Sequence, residues 1–191
     1  MKNHFISRRI FLITLFIFSG LSSVFPQTNS NFILWQLPSQ INTIGNSYVF
    51  QMENGKVVVM DGGVKEECEY LRGFLAALGN EVEAWFISHP HSDHMGALNQ
   101  ILIDPGEIRI KTIYHAEFSK TFYLENENQY AALTEEFYNN LSNSGIRVLN
   151  ITEPGMTVEI DQTKFKILSV ANPDISVNAY NNPSRYRQGP A

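Results

Sequence analysis

A short apolar strand that runs directly into a cluster of histidines constrains the fold of this chain more than any other feature. The segment 83–98 carries four side chains of the kind that bind metal ions: His89, His91, Asp93 and His94. Residues 85–87 are apolar and predict a buried strand, and Pro90 interrupts regular pairing just beyond it. The four polar side chains are therefore expected on a loop between a strand and a helix.

The spacing of these residues predicts a metal site. Neutral imidazoles and carboxylates are the donors that zinc and similar divalent ions favour. His89 and His91 are two residues apart, so in an extended segment they project to the same side and can hold one ion. Asp93 and His94 follow the turn and are expected to point elsewhere, towards a second ion. The alternative, a histidine-rich surface turn, is disfavoured because three of the chain's five histidines fall within this segment.

Composition limits the number of domains and the use of cysteine. A chain of 191 residues with 43% hydrophobic and 17% charged residues is typical of one globular domain. The lone Cys68 excludes an intrachain disulfide and a cysteine-rich zinc site. We expect Cys68 to be a small buried apolar residue, with a nucleophilic role as the alternative.

The first residues have the order of a secretory signal peptide. Lys2, Arg8 and Arg9 precede an apolar run over 10–18, and small residues follow it. That run is too short to cross a bilayer, which takes about 20 residues. We therefore expect residues 1–27 to be a cleaved signal peptide and the mature protein to be secreted or periplasmic, without stable membrane insertion. An uncleaved membrane anchor is the alternative.

The charge balance bears on nucleic-acid binding. The formal charge of the whole chain is −5, and loss of the three basic residues within 1–27 would lower it to −8. An acidic surface repels a phosphate backbone, so tight DNA binding is disfavoured. Lys164 and Lys166 are interpreted as part of a solvated face.

Apolar runs separated by turn signals predict an α/β (α+β) domain. The expected strands are 32–37, 47–52, 56–60, 85–87, 108–114, 148–151, 157–160 and 165–170. The expected helices are 66–78, 95–103 and 128–143, the first with Tyr70 on its apolar stripe. Asp161 is expected at a hairpin tip, and His115 is interpreted as an ordinary polar residue rather than a further metal ligand.

The helix 66–78 connects two strands and fixes their relative direction. A helical crossover between 56–60 and 85–87 makes these strands parallel neighbours in one sheet. Their carboxyl ends then share one sheet edge, where ligands of α/β sheets usually bind. The sequence therefore predicts that Asp61 and His89 lie close together.

The pattern His89-x-His91-x-Asp93-His94 resembles the signature of the metallo-β-lactamase-fold metallohydrolases. Within that family, the segment 88–98 is most similar to the metallo-β-lactamase-like domains of bacterial DNA-uptake (competence) proteins. The resemblance implies that His89 and His91 bind one ion and that Asp93 and His94 bind a second. It also implies a catalytic, proton-handling role for Asp93 and an orienting role for Asp61 behind the metal loop. The implied cofactor is a pair of zinc ions, with manganese or iron as alternatives.

The resemblance also implies an αββα sandwich built of two similar halves. The second half of that fold supplies a Gly-Asp pair and late histidines, but no histidine follows His115, and neither Asp161 nor Asp174 follows a glycine. We therefore expect residues 28–184 to be an incomplete domain, the N-terminal half with the first strands of the second, before an irregular tail at 185–191. The missing half would follow from a truncated gene product and would leave an apolar sheet face open to self-association.

The residues and the resemblance leave two candidate functions. The first is a metal-dependent hydrolase that uses a metal-bound hydroxide, with a phosphodiester favoured by analogy over a lactam, lactone, thioester or other small-molecule substrate. The second is a catalytically inactive, truncated metal-binding or interaction domain.

Overall fold

The computed structural model describes residues 32–170. Three predictions lie outside these residues: the signal peptide at 1–27, the end of the domain beyond 170 including Asp174, and the tail at 185–191. They stay predictions.

Within residues 32–170, seven strands form the main sheet. Their bounds are Phe32–Gln36 (β1), Ser47–Met52 (β2), Val57–Asp61 (β3), Glu81–Ile87 (β4), Arg109–Ile110 (β5), Thr112–His115 (β6) and Arg147–Asn150 (β7). The order is β1-β2-β3-β4-β6-β7, and β5 pairs with the start of β4. The pairings of β2 with β1 and with β3 are antiparallel, whereas those from β3 to β7 are parallel. A two-stranded antiparallel hairpin of Thr157–Ile160 (β8) and Thr163–Lys166 (β9) stands apart from this sheet.

In the described part of the chain, four helices accompany the strands. They are Cys68–Ala77 (α1), Ser92–Ile103 (α2), Lys120–Asn126 (α3) and Ala131–Asn143 (α4), with 3₁₀ turns at Lys65–Glu67 and Asn128–Tyr130. None of the helices in residues 32–170 combines the length and the apolar character that crossing a bilayer requires.

The central strands are buried on both faces, which explains why their sequences are continuous apolar runs. Val57 and Val59 face a core shared with helices, to which Leu71, Leu75, Met95, Leu98, Ile101, Phe137 and Leu141 contribute. Val58 and Phe86 face the opposite way, into a smaller core with Tyr114, Ile151, Ile160 and Phe165. The sheet therefore lies between a helical layer and the β8–β9 hairpin, and the predicted mixed α/β architecture is confirmed.

The predicted crossover is confirmed as well. β3 and β4 are parallel, with Val59 opposite Trp85, and α1 connects them. The indole of Trp85 donates a 2.7 Å hydrogen bond to the backbone carbonyl of Asp61. This bond ties the ends of the two strands together beneath the histidine loop.

Several predicted boundaries are wrong. The strand expected at 108–114 bends at Lys111 into β5 and β6, although both keep one register against β4. The last strand is Thr163–Lys166 rather than 165–170, because Asp161 adopts a left-handed backbone (φ 56°) that makes the turn and leaves Thr163 already paired. Tyr70 is 37% exposed, since the buried face of α1 is formed by Leu71 and Leu75.

The helices also differ from the expectation. The second helix begins at Ser92 instead of residue 95, so Asp93 and His94 are in its first turn. The helix expected at 128–143 begins as a 3₁₀ turn and becomes α-helical at Ala131. α3 was not predicted, because residues 116–127 show no clear apolar periodicity.

Candidate metal centre

The histidine loop is the short connection between β4 and α2. β4 ends at Ile87, and His91 has an extended backbone (φ −90°, ψ 153°) immediately before the helix. The carbonyl of His91 accepts hydrogen bonds from the backbone N–H groups of His94 (3.0 Å) and Met95 (2.9 Å). The loop is therefore held by the first turn of α2, and Asp93 lies at a helix N-terminus, where a negative charge is favourable.

The three imidazole rings lie against one another. The ring centroids of His89 and His91 are 4.5 Å apart, and those of His89 and His94 are 3.9 Å apart. The first turn of α2 begins at Ser92 and brings His94 back over His89. The assignment of Asp93 and His94 to a second ion stays a prediction.

Asp61 lies beneath this cluster, as predicted. Its Oδ1 accepts a hydrogen bond from the backbone N–H of Ser88 (2.8 Å), and its Oδ2 contacts the Ser88 hydroxyl (3.0 Å) and Nδ1 of His94 (2.8 Å). The residue is 7% exposed and has a left-handed backbone (φ 56°). The carboxylate therefore orients both the start of the loop and the His94 ring.

Asp93 and Asn46 complete the side of the cluster near His94. An Oδ2 of Asp93 lies 3.4 Å from Nε2 of His94, and the side-chain amide of Asn46 lies 3.5 Å from the same nitrogen. The backbone N–H of Asn46 donates to the Asp93 carbonyl (3.1 Å), and the Asn46 carbonyl accepts from Gly62 (3.0 Å) and Gly63 (2.9 Å). One loop residue therefore joins the ends of β3 and the start of α2.

Gly96 allows α2 to approach this junction closely. A Cβ atom at Gly96 would lie 2.6 Å from the backbone nitrogen of Lys65 and 3.0 Å from atoms of Val64. The next residue, Ala97, donates a backbone hydrogen bond to the Gly63 carbonyl (3.1 Å). A side chain at Gly96 would push the helix, and with it Asp93, away from the sheet edge.

Two contacts of His91 were missed by the sequence analysis. Its Nε2 lies 2.7 Å from an Oε2 of Glu127, and its ring centroid lies 4.7 Å from that of Tyr130. Both partners come from the segment between α3 and α4, far from the motif in sequence. No periodicity or motif marks Glu127, so no signal in the sequence could have identified it.

Burial and neighbouring charges shift the pKa values of His89 and His94 in opposite directions. Burial, together with the neighbouring His94 and His91, lowers the pKa of His89 to about 4. For His94, burial opposes protonation, but the hydrogen bond that its ring donates to Asp61, together with the negative charges of Asp61 and Asp93, outweighs burial and raises the pKa. His89 is therefore neutral near pH 7, which is the state that binds a metal.

His115 lies at the same sheet edge but in a different environment. Its backbone pairs with that of Ile87, and its side chain is buried at 6% exposure. The buried Nδ1 has no hydrogen-bond partner in the described part of the chain, and burial lowers the pKa of His115 to about 4. Its interpretation as an ordinary polar residue rather than a metal ligand stays a prediction.

The donor types fit a divalent ion, although they do not form a ready coordination shell. Three imidazoles and the Asp93 carboxylate lie together, and each of His91 and His94 has one ring nitrogen engaged by a carboxylate outside the motif. Within residues 32–170, no group of three or more His, Cys, Asp or Glu side chains is arranged to hold a metal ion. The fit therefore rests on donor chemistry and proximity.

The sequence model of the metallo-beta-lactamase superfamily matches residues 42–170, which is more than half of the chain. The chain belongs to this superfamily, whose members are metal-dependent hydrolases that bind divalent metals. No match was found among curated proteins.

The solved structures that resemble this chain are distant from it in sequence. A mutant flavo di-iron protein from Thermotoga maritima shares 23% identity, covers 64% of this chain and 26% of its own, and has a TM-score of 0.42. The BLEG-1 B3 metallo-beta-lactamase shares 20% identity over 70% of this chain and 59% of its own, with a TM-score of 0.44. A diphosphatase of the PhnP family shares 18% identity over 64% of this chain and 43% of its own, with a TM-score of 0.39. The chain thus spans 26% to 59% of the length of these proteins.

Proposed function

We propose that this chain is a metal-dependent hydrolase whose site lies at the carboxyl ends of β3 and β4. The observation that carries this proposal is the clustering of His89, His91, Asp93 and His94 above the buried carboxylate of Asp61. The superfamily membership supports the same chemistry.

The motif residues would hold one or two divalent ions. His89 and His91 are the proposed ligands of the first, and Asp93 and His94 are those of the second, with zinc proposed and manganese or iron as alternatives. A bound ion would supply Lewis acidity and would make a water molecule nucleophilic near neutral pH. This nucleophile would be the metal-bound hydroxide that the sequence analysis expects. Asp93, partly exposed beside His94, is the proposed acceptor and donor of a proton.

We propose a phosphodiester as the substrate class. The resemblance of the segment 88–98 to the domains of DNA-uptake proteins supports it, and so does the groove beside the loop. This groove, with a volume of about 920 Å³, is lined by Ser88 and His89 at one end, by aromatic rings such as Phe86 and Tyr114, and by Lys164 and Lys166. Rings can stack on bases and lysines can pair with phosphate, whereas the acidic overall charge favours a small substrate over long DNA.

Metal analysis combined with a chromogenic phosphodiesterase assay tests this function. We expect tightly bound divalent metal, and turnover that a chelator removes and added metal restores. Metal binding without turnover on phosphodiester, lactam or lactone substrates would reject the hydrolase.

A catalytically inactive metal-binding or interaction domain is the second candidate. The observation that favours it is that His91 and His94 are both engaged by carboxylates and that no three His, Cys, Asp or Glu side chains in residues 32–170 are arranged to hold a metal ion. One loosely held ion without turnover would support this candidate.

The compartment and the assembly state are also proposals. We propose export to the periplasm or the medium, directed by residues 1–27, and mass spectrometry of the mature N-terminus tests it, because intact Met1 on cytoplasmic protein would contradict it. We further propose weak self-association through an uncovered apolar sheet face. Sedimentation over a range of protein concentrations would show a rising average mass if this is correct.

A further inference from the structure

We propose that Glu127 is a positioning residue that fixes the tautomer of His91, so that Nδ1 of this ring is the atom offered to a metal. The proposal rests on the proposed function only in naming the metal. The contact itself is a feature of the chain, because Nε2 of His91 lies 2.7 Å from the Glu127 carboxylate.

The chemistry of the pair decides which nitrogen carries the proton. An ionised carboxylate can only accept a hydrogen bond, so the ring nitrogen facing Glu127 must be the donor. A neutral His91 therefore has its proton on Nε2, and the lone pair is left on Nδ1. Metal-binding histidines usually have this kind of carboxylate partner, which sets both the tautomer and the ring angle.

The neighbouring histidine shows the same principle with the opposite nitrogen. Asp61 contacts Nδ1 of His94 at 2.8 Å, which leaves Nε2 of that ring facing Asp93 at 3.4 Å. Two carboxylates outside the motif thus orient two rings within it. Asp61 belongs to β3, whereas Glu127 follows α3, so the segment 116–130 takes part in the site.

Glu127 is held in place by its own surroundings. Its backbone N–H donates to the Tyr123 carbonyl (3.2 Å), and its carbonyl accepts from the N–H of Tyr130 (2.8 Å). The Tyr130 ring also packs against the His91 ring, with centroids 4.7 Å apart. The side chains of His91 and Glu127 are only 27% and 21% exposed, so the contact is shielded from competing water.

The test replaces the charge and keeps the shape. In Glu127→Gln the amide can donate as well as accept, so the preference of His91 for one tautomer is lost. We expect the metal affinity, measured by competition with a chelator, to fall about 10- to 100-fold. Glu125→Gln, which removes the same charge from an exposed position of α3, is the matched control and should leave the affinity unchanged.

A second readout does not depend on metal. In the metal-free protein, the ¹⁵N chemical shifts of the His91 ring should show the Nε2–H tautomer in the wild type and a mixture in Glu127→Gln. The Nδ1–H tautomer in the wild type, or identical shifts in both proteins, would overturn the proposal. An increase of metal affinity in Glu127→Gln would also overturn it, because the carboxylate would then be a competitor of the metal.

These readouts separate the two proposals. A wild-type protein that binds no divalent metal but shows the expected tautomers would contradict the proposed function and support the role of Glu127.

Discussion

The two carboxylates that hold motif histidines lie in parts of the molecule that are packed very differently. Asp61 ends a strand that is buried on both sides, and its carboxylate makes three contacts, two with Ser88 and one with His94. Glu127 lies between a short helix and a 3₁₀ turn, its side chain is more exposed, and within residues 32–170 its carboxylate hydrogen-bonds to His91 alone. The contact of Asp61 with His94 is thus part of the main sheet and its packed helices, which we call the framework. The contact of Glu127 with His91 belongs to a segment that lies over the loop, residues 116–130, which we call the cap.

Removal of the Asp61 charge should have the largest effect on stability. Asp61→Asn replaces an acceptor by an amide that faces two donors of Ser88 and a ring nitrogen of His94. Hydrogen bonds to charged groups contribute roughly 1.5–3 kcal/mol each, so we expect a loss of about 2–4 kcal/mol in the free energy of unfolding. Urea denaturation measures it, with Glu127→Gln as the comparison at less than about 1 kcal/mol. Equal losses in both variants would remove the distinction between framework and cap.

The same distinction separates what the sequence could predict from what it could not. The sequence predicted that Asp61 and His89 lie at one sheet edge. This was possible because the apolar runs, the crossover helix and the motif spacing depend on local patterns and on the handedness of connections. The contact of Glu127 with His91 depends on how an aperiodic segment folds back over the loop. No local pattern encodes such a contact.

Errors within the framework have a local cause. The bend at Lys111 divides a strand without changing its register against β4, and the two-residue turn at Asp161 makes the last strand begin already at Thr163. The start of α2 at Ser92 has a larger consequence, since it places His94 against His89. Strand and helix propensities do not determine a helix start to within three residues, and here these residues are part of the site.

The buried His115 predicts how the framework responds to acid. Its pKa is lowered to about 4 from 6.5, so the folded protein resists protonation that the unfolded chain accepts. Stability should therefore fall as the pH drops from about 6.5 to about 4, by about 3 kcal/mol at 1.36 kcal/mol per pKa unit. His115→Gln should flatten this part of the stability profile in urea denaturation at several pH values. An unchanged slope would show that His115 is not buried in its neutral form.

Close packing of α2 on the framework gives a smaller effect with a matched control. Gly96→Ala forces a Cβ atom against the backbone of Lys65 and Val64, and we expect a loss of about 1–3 kcal/mol. Gly73→Ala on α1 meets nothing within 4 Å, so it should instead stabilise the protein by roughly 0.5–1 kcal/mol. Thermal unfolding of both variants checks the prediction, and a similar shift for both would mean that α2 does not approach the sheet edge this closely.

The cap should respond to a change that leaves the framework intact. The hydroxyl of Tyr138 accepts a hydrogen bond from the backbone N–H of Phe118 (2.8 Å). Tyr138→Phe leaves that N–H without its partner and should cost about 1 kcal/mol. We expect faster hydrogen exchange in residues 116–130 and unchanged exchange in β3 and β4, with the exposed Tyr70→Phe as the control. Faster exchange throughout the sheet would show that the cap and the framework open together.

Competition of the protein with a zinc chelator tests the central claim, that the histidine loop is a metal site, most directly. His89→Ala and His91→Ala should each lower the affinity by more than about 100-fold, beyond the 10- to 100-fold expected for loss of an orienting carboxylate. His115→Ala should change the affinity far less, because this side chain is buried in the sheet framework. Equal losses from all three variants would show that His115 is a ligand and that the site is placed wrongly, and an affinity unaffected by any of them would contradict the account.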